Sequence, residues 1–104
     1  MNLDMVPIHP GEMLEELYLK ELGMSAGALA KQLNVPRTRI ERIVARETGI
    51  TIDTALRLAR FFNTSVELWI NMQKGYELRL AYRNPPKNLD KIQPLQIQTQ
   101  IAAE

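Results

Sequence analysis

Apolar residues recur every three or four positions along most of this 104-residue chain, which is the period of an amphipathic helix. Gly23, Asn34, Gly49 and the segment 63–65 interrupt the pattern and divide it into five predicted helices. The pattern therefore predicts an all-α fold built from short helices joined by tight turns.

The helical pattern stops where Asn84 is followed by two prolines, which sets the end of the predicted domain. We predict a helical domain over residues 9–83, an extended arm of residues 1–8 and a tail of residues 84–104.

Within the tail, apolar residues follow a period of two. Leu95, Ile97, Thr99 and Ile101 alternate with glutamines, which is a strand pattern. A strand has no pairing partner in an otherwise helical chain. We therefore expect the tail either to be disordered alone or to add a strand to a sheet edge of another protein.

The segment from Ser25 to Ala45 predicts two short helices that meet at a tight turn. Ser25 is a good N-cap, and Asn34 tolerates the left-handed conformation that such a turn requires. Pro36 cannot continue the first helix of the pair but can open the second. Ala30 is small enough for the two helices to cross closely. These features together predict a helix–turn–helix.

The second helix of this pair carries a basic face that packing leaves open. Ile40 and Ile43 lie on its other side and anchor it to the domain. Five cations and one acid lie between Lys31 and Arg46. A basic helix presented by a crossing helix is how a helix–turn–helix enters the DNA major groove. The alternative is two ordinary packed helices with a solvated basic face.

The loop after this helix offers further DNA contacts. Thr48 and Thr51 lie where hydroxyl and backbone N–H groups would bind phosphates and fix the register on DNA. The alternative, that both threonines only cap and turn the chain, remains open.

The fifth predicted helix, from about Val66 to Tyr82, is apolar on more than one side. A domain this small covers only one face of its last helix, so we expect a second copy to cover the rest. A two-fold dimer would place two reading helices about 34 Å apart. Alternatively, the tail folds back over this helix. The residues assigned to the dimer interface are Trp69, Ile70, Met72 and Tyr76.

The first helix combines a predicted buried face with an acidic outer face. The apolar side consists of Met13, Leu14, Leu17 and Tyr18. The acidic side is either solvated or a docking surface for a basic partner, and it consists of Glu12, Glu15, Glu16 and Glu21.

Composition narrows the function further. The net charge of +1 means that DNA affinity must come from the local basic patch. The chain has no cysteine, no signal peptide pattern and no apolar run of membrane-span length, so we expect a cytoplasmic protein without a membrane partner. His9 stands alone, without neighbours at ligand spacing. We predict no metal, no cofactor, no catalytic residue and hence no enzyme.

Several short motifs resemble one family over roughly His9 to Tyr82. They are His9-Pro10-Gly11-Glu12, Leu29-Ala30, Leu33-Asn34-Val35, Gly49-Ile50-Thr51, Ala55-Leu56-Arg57-Leu58-Ala59 and Trp69-Ile70-Asn71-Met72-Gln73. With them the chain resembles the HigA antitoxins, within the Xre and lambda-repressor-like helix–turn–helix group. Two positions depart from the family pattern: Asn34 replaces a common glycine, and Pro36 replaces the serine that caps the recognition helix.

The resemblance implies a five-helix lambda-repressor-like fold and two roles. Such proteins bind the double-stranded palindromic operator of their own operon as homodimers. They also neutralise a HigB-type toxin, a small ribosome-dependent mRNA endonuclease. Carried over to this sequence, the base-reading positions are Arg37, Thr38, Glu41 and Arg42. Arg39 and Arg46 are better placed for phosphates.

Two other functions remain open. The chain could be a protein-interaction module with little DNA binding, which the lost serine cap favours. It could also be a stand-alone Xre-type transcriptional regulator without a toxin.

Overall fold

The computed structural model describes residues 6–96, which form an all-α fold with five helices. The bounds are Pro10–Leu14, Glu15–Leu19 and Lys20–Leu22 for the three consecutive parts of α1, Ala26–Leu33 for α2, Arg37–Val44 for α3, Ile52–Phe62 for α4 and Val66–Arg83 for α5. A short 3-10 turn, Leu89–Lys91, follows. The predicted fold class is confirmed.

Local capping residues set most helix ends, as the sequence predicts. Ser25, Thr51 and Ser65 each accept a hydrogen bond on the side-chain oxygen from a backbone N–H three residues later. Asn34 and Asn63 end α2 and α4 in the left-handed conformation, with φ of 58° and 56°.

Helix α3 begins without a side-chain cap and is held by packing. Pro36 precedes it and supplies no side-chain hydrogen bond. Ile40 and Ile43 are buried beneath it. Helix α1 approaches so closely that a Cβ atom on Gly11 would lie 1.8 Å from the carbonyl oxygen of Ile43. The contact between α1 and the end of α3 thus depends on glycine at position 11.

A π-helical turn in the middle of α1 changes which residues are buried. Leu14 and Leu19 are buried, whereas Leu17 is 56% exposed. A π turn holds more residues than an α turn, so the residue five positions after Leu14 shares its face. The prediction that Leu17 is buried is therefore wrong.

Trp69 of α5 lies in the centre of the core and is fully buried. Its ring packs 5.0 Å from Tyr18 and 5.9 Å from Phe62, measured between ring centroids. Its Nε1–H donates a hydrogen bond of 2.8 Å to Thr64 Oγ1. The assignment of Trp69 to a dimer interface is therefore wrong. Residues 84–96 are exposed, and the rest of the tail, on which the fold-back alternative also depends, lies outside the described residues.

The last part of α5 lies outside this core. Leu78, Leu80 and Tyr82 are 39%, 39% and 49% exposed. The alternating segment that predicts a strand lies mostly beyond the described residues, so the strand stays a prediction.

Candidate DNA-binding surface

Four of the predicted DNA-contacting side chains lie exposed on the outer face of α3. They are Arg37, Thr38, Glu41 and Arg42. Arg37 Nε and Glu41 Oε2 are 3.4 Å apart in an exposed ion pair one turn along the helix. Such pairs contribute little net stability, so a ligand can rearrange this face at small cost.

The side chain of Arg39 reaches from α3 to the start of α4, where it meets residues that the sequence did not single out. Its guanidinium group pairs with Asp53, whose Oδ2 also accepts a hydrogen bond of 3.0 Å from Arg57 Nε. Arg57 Nη1 donates to the carbonyl oxygen of Leu33 at 2.8 Å, at the end of α2. These contacts tie α4 to both helices of the helix–turn–helix.

The charges around Asp53 favour the ionised form of its carboxylate. The hydrogen bonds from Arg57 and then Arg39 hold the pKa of Asp53 below its ordinary value. The spacing of Asp53 and Arg57 is that of a helical ion pair and could have been noticed in the sequence. Their contact with Arg39 follows only from the packing of two helices.

Arg46 stands just beyond α3 in a left-handed conformation with φ of 65°. Its Nη2 atom is 2.7 Å from Glu12 Oε1 of α1. The side chain of Arg46 is still 52% exposed. Glu12, one of the four acids of the predicted acidic outer face, connects α1 to the predicted phosphate-binding arginine.

The loop that contains Thr48 is held from two helices. The backbone carbonyl of Thr48 accepts a hydrogen bond from the imidazole of His9, at the start of α1. Gln73 Oε1 of α5 accepts a hydrogen bond of 2.7 Å from the N–H of Ile50. A Cβ atom on Gly49 would lie 2.6 Å from the same Gln73 oxygen, so the loop packs directly against that side chain. The exposed Thr48 is thus displayed on a fixed backbone.

His9 stands just before a helix start, where capping or packing is expected rather than catalysis, and its side chain both caps α1 and packs against α5. Its Nδ1 accepts a hydrogen bond of 2.9 Å from the N–H of Gly11 and so caps α1. The ring also packs edge-on against Tyr76 of α5, with centroids 4.9 Å apart. Burial, followed by the positive charge of Arg46, lowers the pKa of His9, while the bond to Thr48 opposes this shift. The ring therefore acts as a neutral acceptor and donor.

An open hollow of about 490 Å³ lies between α3 and the start of α4. It is lined by several residues that were predicted to bind DNA and by two, Asp53 and Arg57, that were not. Its lining includes Thr38, Arg39, Arg42, Thr48, Asp53 and Arg57. Guanidinium and hydroxyl groups in this arrangement can bind the phosphates of a nucleic-acid backbone.

Residues 6–96 contain neither a metal-binding cluster nor a membrane-spanning helix. No group of three or more histidine, cysteine or acidic side chains there could hold a metal ion. No helix in that range is long and apolar enough to cross a bilayer.

The crossing of α2 and α3, with the basic face of α3 turned outward, defines the helix–turn–helix class of DNA-binding domains. The chain belongs to the helix–turn–helix family, whose sequence model matches residues 16–69. This family is not a class of enzymes.

Individual relatives place the chain among HigA-type antitoxins. Virulence-associated protein I of Dichelobacter nodosus is 54% identical over 78 residues, which are 75% of this chain and 72% of that protein. A Pseudomonas aeruginosa protein, solved in complex with its 18-bp operator DNA, is 42% identical with a TM-score of 0.82, covering 88% of this chain and 99% of that one. Pseudomonas aeruginosa antitoxin HigA, solved with the higBA promoter, is 41% identical with a TM-score of 0.81. The match covers 88% of this chain and 100% of that one.

Proposed function

We propose that this protein is an antitoxin that binds operator DNA as a homodimer, represses its own operon and neutralises a cognate HigB-type toxin in the cytoplasm. The observation that carries the proposal is the exposed basic face of α3 beside the hollow that contains Thr48. Support comes from relatives of 41–42% identity that were solved with operator or promoter DNA.

The outer face of α3 supplies the base contacts. Arg37 and Arg42 are long enough to donate to O6 and N7 of guanine, and Glu41 can accept from N4 of cytosine. Thr38 can bind either kind of base edge.

The flanks of α3 supply the phosphate contacts, through Arg39, Arg46 and Thr48. Asp53 and Glu12 hold the two arginines, and both side chains remain partly exposed. Because their positions are fixed before binding, less side-chain entropy is lost when they meet DNA. Thr48 acts from the loop that His9 and Gln73 hold in place.

The dimer interface is proposed to lie on α5 beyond the buried Trp69. Ile70, Met72 and Tyr76 are only partly exposed, because they also pack on their own core. The more exposed Leu80 and Tyr82 extend the same helix outward. A second copy packed there would cover apolar surface that the monomer leaves in water.

Toxin neutralisation is supported by the similarity of this chain to HigA-type antitoxins. Its test is co-expression of this chain with the toxin-sized reading frame next to its gene. Restored growth of the host and intact mRNA would support the antitoxin role. Arrested growth despite a folded antitoxin would contradict it and favour a stand-alone regulator.

A gel shift in competitor DNA tests the DNA-binding role. We expect the wild-type protein to prefer a duplex from its own promoter over a random duplex. Arg42→Ala should cost roughly 1–3 kcal/mol of binding free energy and relax the preference at one base pair. Arg46→Ala should weaken binding to all sequences alike and lower the salt dependence.

Arg60→Ala is the control for these variants, since Arg60 is exposed on α4 and does not line the hollow. Equal affinity of the wild-type protein for both duplexes would contradict sequence-specific binding. Identical base preferences for the Arg42 and Arg46 variants would contradict the division of roles.

A further inference from the structure

Asp53 is the one acid among the described residues that line the hollow between α3 and α4. We propose that Asp53 is a specificity-determining residue, which competes with DNA phosphates for Arg39 and Arg57 and so suppresses non-specific binding. The inference rests on the proposed DNA-binding function and adds a role for a residue that need not touch DNA.

Asp53 binds two cationic side chains at once. Its Oδ2 atom accepts hydrogen bonds from Arg39 of α3 and from Arg57 of its own helix. Arg57 is also anchored through Nη1 to the carbonyl of Leu33. Both guanidinium groups are therefore aimed inward, toward the carboxylate and the backbone of α2.

The three side chains are nevertheless open to solvent. Side chains of Arg39 and Arg57 are each 39% exposed, and that of Asp53 is 53% exposed. Exposed ion pairs of this kind are weak, so a phosphate can replace the carboxylate. Asp53 thus restrains the arginines without removing them from the DNA-facing surface.

The restraint on Arg39 and Arg57 affects non-specific DNA binding and operator binding differently. Non-specific binding comes almost entirely from cations that follow phosphates, and mobile arginines serve it best. In the operator complex, base contacts of α3 fix the docking position, and a prepositioned Arg39 meets one phosphate at small entropic cost. Loss of the Asp53 charge should therefore help non-specific binding more than operator binding.

The test compares Asp53→Asn with a control that has the same change of charge at an equivalent helix position. Asp53 is the second residue of α4, after the cap Thr51. Glu67 is the second residue of α5, after the cap Ser65, and it is exposed away from the hollow. Glu67→Gln therefore removes one negative charge and one favourable helix-dipole interaction, but leaves Arg39 and Arg57 unchanged.

Affinities for the promoter duplex and for a random duplex of equal length are measured between 50 and 300 mM salt, and thermal melting checks the fold. We expect Asp53→Asn to strengthen random-duplex binding about three- to tenfold and to steepen its salt slope by about one. Promoter affinity should change less than threefold, so the specificity ratio falls. Adding Arg39→Ala to Asp53→Asn should reverse most of the gain on the random duplex.

Three results would overturn the proposal. One is an unchanged specificity ratio in Asp53→Asn while the wild-type protein discriminates well. Another is an equal gain in Glu67→Gln, which would show an effect of bulk charge only. The third is a parallel loss of both affinities with a lower melting temperature, which would show a purely structural clamp. Failure of the proposed function would look different, because the wild-type protein itself would then fail to prefer the promoter.

Discussion

The two halves of α5 have similar apolar content but lie in different surroundings. In the inner half, Trp69 is fully buried and Gln73 bonds to the loop that carries Thr48, and just past the midpoint Tyr76 packs on His9. In the outer half, Leu80 and Tyr82 extend into solvent. The difference teaches that a helix with apolar residues on several sides serves more than one surface. Only the packing shows which residue belongs to which surface.

This division has a consequence for stability. The inner half stabilises the monomer and fixes the loop that carries Thr48. The outer half contributes little to the monomer and is available for the proposed second copy. The variants below separate the two halves by their effect on the free energy of unfolding, from the largest to the smallest.

Trp69→Ala should have the largest effect, because it removes the central ring of the core. We expect the free energy of unfolding to fall by about 3–5 kcal/mol in urea titrations. Trp69→Phe is the control, since it keeps a ring against Tyr18 and Phe62 while losing the bond to Thr64. A loss below about 1 kcal/mol for Trp69→Ala would mean that the residue is not in the monomer core.

Gln73→Met should have the next largest effect, since it leaves the buried N–H of Ile50 without its acceptor. We expect a loss of about 1–3 kcal/mol in the same titration. Weaker binding to both promoter and random DNA should accompany it, because the loop becomes mobile. Lys74→Met is the matched control on the adjacent exposed position. Equal behaviour of the two variants would show that the tether is unimportant.

The ionisation of His9 should have a smaller effect, which makes the free energy of unfolding depend on pH. The pKa of His9 is lowered in the folded state, so the unfolded chain binds a proton first as the pH falls. The contribution of neutral His9 is therefore fully present above its ordinary pKa of about 6.5 and is lost as the pH falls toward the folded-state value. Thermal melting between pH 8 and pH 5 measures this loss.

His9→Asn is the control for this titration. Asparagine can still cap α1, but it does not ionise in this range. The variant should lose the part of the pH dependence that arises from His9. If its melting temperature falls with pH as steeply as in the wild-type protein, another group is responsible.

Leu80→Asp should have the smallest effect on the monomer. We expect the free energy of unfolding to change by less than about 0.5 kcal/mol at a concentration where the chain is monomeric. The mass measured by light scattering at high concentration should fall from that of a dimer to that of a monomer. A dimer that persists in this variant would place the interface elsewhere.

Features that depend on neighbouring residues were predictable from the sequence. Ser25, Thr51 and Ser65 cap helices because a hydroxyl can reach an N–H three residues later, whatever the rest of the fold does. Asn34 and Asn63 take the left-handed conformation for equally local reasons. These residues were enough to predict the number of helices and the helix–turn–helix.

Features that depend on distant residues were not predictable. Arg39 and Arg46 look alike in the sequence, yet one meets an acid 14 positions away and the other meets Glu12, 34 positions away. The burial of Trp69 similarly depends on rings from α1 and α4. Candidate DNA contacts could therefore be listed from the sequence, but not the partners that hold them.

The π turn in α1 has a consequence for comparing this chain with its relatives. Leu14 and Leu19 share a face although they are five positions apart, so the helix accommodates one residue more than regular pitch requires. Deletion of an exposed residue such as Glu16 would leave the two leucines four apart, still on one face of an ordinary α-helix. Homologous first helices that differ in length by one residue can thus bury the same pair. An alignment of two such sequences then needs a one-residue gap inside a helix, although gaps are normally placed in loops.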